Sequence, residues 1–146
     1  MHYTGLAIVH HLLVFGLAIM LAMELAYLRG ERVPVKRLAG LDAGYGAVAV
    51  LLLLAGAARV LWGDKGWVFY QDNPYFWAKV GTFLLIGLLS VPPTMLFLKW
   101  RKAFRADAAF QPDATEVARA ARFVRFEVLL LFPLVAFAAA MARWTS

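Results

Sequence analysis

The chain has 146 residues, 63% of them hydrophobic and only 16% charged, with a mean hydropathy of +0.70. That composition excludes an ordinary soluble domain and reads as a single integral membrane domain over residues 1–146. The net charge of +6 is explained by loop lysines and arginines that orient the chain in a bilayer, and no basic patch interleaved with aromatics points to nucleic acid; the lack of cysteine excludes disulfides, thiolate nucleophiles, iron–sulfur clusters and Cys-ligated zinc.

The first predicted helix covers about residues 4–28 and ends at Arg29-Gly30, a cation followed by a C-cap glycine. Its apolar run is too long for a signal peptide, no basic segment precedes it and Arg29 follows as a stop, so a retained helix is expected. The second, about 41–62, is rich in small residues (Gly44, Gly46, Ala47, Ala49, Ala55, Gly56, Ala57, Ala58), the composition that lets membrane helices approach closely and that favours a homodimer. A loop from Gly63 to Asp72 carries Trp67, Phe69 and Tyr70, suited to a membrane–water interface.

The third helix, about 74–100, opens with Asn73 as cap and Pro74 in the first turn, and the Pro92-Pro93 pair predicts a kink by freeing the carbonyls of Leu88 and Leu89. Lys79 lies about five residues inside it, roughly 7–8 Å along the axis. An ammonium in hydrocarbon costs several kcal/mol unless it snorkels, so this lysine is a functional-site hypothesis. After a polar connection containing Pro112, the fourth helix starts near Asp113 to Glu116, covers about 115–142, and enters the membrane near Phe123. The fold class is therefore all-α, a bundle of four transmembrane helices.

Eleven of the fifteen lysines and arginines fall in or beside the connections between the first and second and between the third and fourth helices. The positive-inside rule puts both connections in the cytoplasm and both termini outside, a multi-pass protein of the bacterial inner membrane.

Polar residues then sort by depth. His10 and His11 on the first helix, Arg59 on the second and Lys79 on the third converge roughly 6–10 Å below the outer surface at 1.5 Å per residue. Imidazole in a helix bundle is an axial ligand for haem iron, and Arg or Lys beside it can hold propionates. His10 shares a stripe with Val14, Leu17, Leu21, Glu24 and Leu28, whereas His11 shares one with Phe15, Ala18, Ala22 and Leu25, and the two are left unranked. Phe15, Phe83 and Trp77 are candidate apolar walls. A histidine-only metal site would have to add His2 to His10 and His11. At the inner level, Glu24, Asp42 and Glu127 are expected to form ion pairs with Arg122 and Arg125.

The segments VHHLLVFGLAIMLAMEL, LLLLAGAARVLW and FWAKVGTFLL resemble a bacterial family of four-helix membrane proteins of unknown function along essentially the whole chain. Over the first three helices they are remotely similar to HemJ-type protoporphyrinogen oxidases and to the membrane part of copper resistance D proteins. The HemJ resemblance implies that His10 or His11 ligates haem b, that Lys79 is essential for catalysis, and that a porphyrin or quinone is the redox partner. The chain departs from that pattern in its Pro92-Pro93 pair and in lacking histidine in the third and fourth helices. The sixth ligand is thereby left to Met141, Lys79 or water. The alternative expectation is a cofactor-free transport or helper protein.

Overall fold

In the computed structural model, which describes residues 2–145 and the side chains of 4–145, the chain folds into four long helices and one short one. These are α1 (His2–Arg29), α2 (Val35–Trp62), α3 (Gly66–Gln71), α4 (Pro74–Ala106) and α5 (Ala114–Arg143). The four long helices each have the length and apolarity to cross a bilayer. They pack in a ring, α1 on α2, α2 on α4, α4 on α5 and α5 on α1, with the α1/α4 and α2/α5 diagonals out of direct backbone contact.

Side chains divide cleanly between the two surfaces. Leu17, Leu21, Leu28, Leu38, Tyr45, Leu52, Phe97, Trp100, Ala120 and Val124 form the core, while Leu12, Phe15, Leu54, Leu88, Met95 and Phe132 face outward. So many exposed large apolar groups would be untenable in water and are ordinary against lipid.

α2 starts six residues before the expected Leu41. Val35, Lys36, Arg37 and Gly40 read as loop by charge and glycine, but Val35, Leu38, Ala39 and Asp42 are buried at helical spacing, and Pro34 gives its carbonyl to the Leu38 amide at 2.9 Å. The extra turns are helical and partly buried despite their charges and glycine. α4 likewise runs past Trp100 to Ala106, keeps Pro92 and Pro93 within one helical span, and ends at Asp107, whose amide donates to the Ala103 carbonyl at 3.0 Å.

The stretch Gly63–Asp72 is not all loop, since it folds into α3. Gly66 opens that helix at φ 74°, a left-handed conformation that glycine adopts without strain. Trp67, Phe69 and Tyr70 meet Phe76, Trp77 and Trp144 edge to face or tilted, with ring centroids 5.4–6.5 Å apart. Lys65 lies over the Phe69 ring at 4.4 Å, so this end of the bundle carries an aromatic layer with a cation on top.

Asn73 caps α4 as expected. Its Oδ1 accepts from the Tyr75 amide at 3.0 Å and its Nδ2 donates to the Met141 carbonyl at 3.0 Å, which ties the start of α4 to the end of α5. At the opposite end Gln111 pairs with the Val33 backbone in both directions, at 2.9 and 3.3 Å. The two basic connections thus lie at one end of the bundle and the aromatic layer at the other.

Candidate functional site

Burial separates the two histidines. His10 is 7% exposed, on the buried stripe of Leu17, Leu21, Glu24 and Leu28, whereas His11 is exposed beside outward-facing Phe15. The His11 Nδ1 donates to the Ala7 carbonyl one turn back at 2.7 Å, and its ring meets His10 edge-on at 6.0 Å and 81°. The two imidazoles therefore point apart. His10 instead approaches α2 at Gly56, where a Cβ would sit 3.8 Å from its Cε1, and its Nδ1 is buried with no hydrogen-bond partner.

Arg59 and Lys79 are half-buried, and both lie within Coulombic range of His10 and of each other. Three helices thus bring an imidazole, a guanidinium and an ammonium to one level, as expected from depth. Among the described residues neither cation has a carboxylate within ion-pair distance, the one such pair being Lys99–Glu116 at 2.9 Å. Met141 is buried on α5 beside Asn73. The His2 side chain lies outside the described residues, and among those described no three His, Asp or Glu groups are placed to hold a metal ion together.

Two expectations need correction. Phe15 and Trp77 are not pocket walls, because both face outward, and Phe83 lines a groove between α2 and α4 instead. The inner carboxylates do not pair with Arg122 and Arg125, which are exposed. Helical phase explains it: the buried stripe of α5 is Ala120, Val124, Glu127, Leu134 and Met141, and the two arginines fall on the other face.

The acids meet one another. Glu24, Asp42 and Glu127 are 1%, 7% and 1% exposed. The Tyr45 hydroxyl donates to Glu127 Oε1 at 3.0 Å, the Thr94 hydroxyl donates to Asp42 Oδ2 at 2.7 Å, and the Glu24 and Asp42 carboxyls lie within hydrogen-bonding reach. All four long helices therefore contribute to one buried polar centre. Tyr45 lies three residues beyond Asp42 on the buried face of α2. Thr94 was not singled out, although its spacing from Phe97 and Ile86 carried the signal.

A groove of about 370 Å³ between α2 and α4 reaches this centre. Asp42, Tyr45, Ser90 and Thr94 supply its polar wall, Phe83, Ile86 and Phe97 its apolar wall, and Arg101 stands toward the end with the basic connections.

The fold and these two polar levels define a multi-pass α-helical membrane protein with a cationic site near one face and a carboxyl centre toward the other. The chain belongs to the family described as predicted membrane protein (DUF2214), which it matches over residues 3–145. No curated protein and no solved structure matches it.

Proposed function

We propose that this is a haem b-binding redox protein of the bacterial inner membrane, with both termini outside, acting on a porphyrin or a quinone through the level of His10, Arg59 and Lys79. The observation that carries the reading is the buried, unpartnered Nδ1 of His10 beside two cations that have no carboxylate within ion-pair distance among the described residues. A buried polar atom left unpaired costs about 1–3 kcal/mol, and a cation in hydrocarbon several more. A flat ligand with a Lewis-acid centre and two carboxylates relieves both deficits.

The residues fit haem b in kind: His10 would ligate the iron, Arg59 and Lys79 would bond the propionates, and Met141, Lys79 or water would complete the ligand set. His11, facing away, has no part in this ligand set. Haem, when bound, supplies one-electron transfer. The chain itself orients the imidazole against Gly56, fixes the anionic edge, and excludes water with its aromatic layer. Lys79 is the proposed catalytic residue, an ammonium able to hold a proton at the ligand's edge.

The test is the absorbance of purified protein, alone and titrated with haem or protoporphyrin. A Soret band lost in His10→Ala, kept in His11→Ala, and weakened in Arg59→Met and Lys79→Met is the expected result. Folded protein with no Soret band that binds neither added compound overturns it. A cofactor-free transport or helper role is the second reading, favoured by the groove between α2 and α4. In either case the exposed face of α2 around Ala47, Val50 and Leu54 is the surface on which two copies would pair.

A further inference from the structure

The carboxyl centre stands apart from the cationic level, and the haem reading makes no use of it. Three carboxyl groups, from α1, α2 and α5, are each more than nine-tenths buried. Glu24 faces Asp42 and Glu127; Asp42 faces Glu24 and Thr94; Glu127 faces Tyr45 and Asp42. Among the described residues no lysine or arginine lies within ion-pair distance of any of them. Like charges so close in a low-dielectric interior repel strongly, and a hydrogen bond between two carboxyl groups requires a proton on one of them.

Glu24 adds an independent sign of a ligand. Its Oε1 is buried without a hydrogen-bond partner, while the two hydroxyl donors of the centre, Tyr45 and Thr94, are committed to Glu127 and Asp42. Among the described residues no three of these groups are placed to hold a metal ion together. A proton needs only one oxygen and a neighbouring acceptor, and the centre offers both.

Asp42 is the member that reaches outward, because it lines the groove that extends to Arg101. About 30 Å³ per water molecule makes that groove wide enough for a short water file. Gly46 and Gly87 border it, and a Cβ added to either would meet nothing within 4 Å. We propose that Glu24, Asp42 and Glu127 form a proton-binding site at the centre of the bundle, which exchanges its protons through the α2/α4 groove with the side that carries the basic connections. A proton arriving from water adds to Asp42, and the proton shared between Asp42 and Glu24 passes along their hydrogen bond to the Glu24 oxygen that faces Asp42; release reverses the two steps.

The experiment is infrared spectroscopy of the full chain in lipid nanodiscs, following the C=O stretch of protonated carboxyl groups as H₂O is replaced by D₂O. The expected result is a protonated-carboxyl band that shifts promptly on exchange and loses intensity in both Glu24→Gln and Asp42→Asn. Gly46→Leu, which adds bulk beside the groove and leaves every carboxyl in place, should keep the band and slow its isotope shift severalfold. The proposal is overturned if folded wild-type protein has no such band, if neither carboxyl variant changes it, or if Gly46→Leu exchanges as fast as wild type. Circular dichroism and a monodisperse elution profile identify folded variants, and Gly87→Leu repeats the groove test at a second position.

Discussion

The Tyr45 hydroxyl reaches Glu127 Oε1 at 3.0 Å across a diagonal of the bundle along which α2 and α5 make no direct backbone contact. The bond passes through the centre, with neither end exposed to solvent. Removing the hydroxyl leaves a buried carboxyl with one partner fewer. We expect Tyr45→Phe to destabilise the bundle by about 1–3 kcal/mol in detergent unfolding. A double-mutant cycle with Glu127→Gln should give a coupling of about 0.5–3 kcal/mol. Additive effects would show that the two groups do not interact.

Asn73 serves two helices at once, through Tyr75 and Met141. Asn73→Ala loses both bonds and should cost about 1–3 kcal/mol, whereas Asn73→Asp keeps the cap and loses the donor to Met141. Thermal unfolding should rank wild type above the Asp variant and the Asp variant above the Ala variant. Equal midpoints for the two variants would mean that the cap contributes nothing measurable.

Gly63 ends α2, and a Cβ there would collide with the Arg59 carbonyl. Gly63→Ala should therefore reduce folded yield sharply, while Gly81→Ala, whose Cβ meets nothing within 4 Å, should not. Size-exclusion yield under matched expression checks the contrast. Because the collision falls on Arg59, the same variant should also weaken any anion held there.

The lack of native cysteine makes topology directly measurable. Asp64→Cys lies in the exposed connection beside the aromatic layer, and Ala108→Cys in an exposed basic connection. In intact cells a membrane-impermeant maleimide should label the first and leave the second unlabelled until the membrane is permeabilised. The reverse pattern would invert the orientation derived from the positive-inside rule.

Lys99 and Glu116 pair on the surface, with Lys99 68% exposed. Lys99→Ala should cost no more than about 1 kcal/mol, because exposed pairs are screened. A larger loss in the same unfolding assay would mean that this connection carries more of the stability than its exposure suggests.

Four membrane helices were legible because hydrocarbon forces long, nearly charge-free segments, and the depth of His10, Arg59 and Lys79 followed from counting along them. Choosing His10 over His11 needed burial, since both stripes were apolar and only packing against Gly56 distinguishes them. The inner acids were misread for a related reason. Counting charges puts Arg122 and Arg125 near Glu127, whereas rotation about α5 turns them away. Phase within α5 was available in the sequence, but which face meets α1 and α4 is decided by packing. The early start of α2 was hidden because its first turns carry the charges and glycine that otherwise mark loops.

The buried centre also bears on how the bundle comes together. The α1/α2 hairpin brings Glu24, Asp42 and Tyr45, and the α4/α5 hairpin brings Thr94 and Glu127. Inserted alone, the first hairpin would hold a tyrosine hydroxyl without its Glu127 acceptor and a carboxyl pair with only each other, and the second would hold a lone acid in hydrocarbon. Each half is thus a poor resident of the bilayer until it meets the other. A chain halted after the first hairpin would be conspicuous to membrane quality control, and completion of α5 is the event that conceals it.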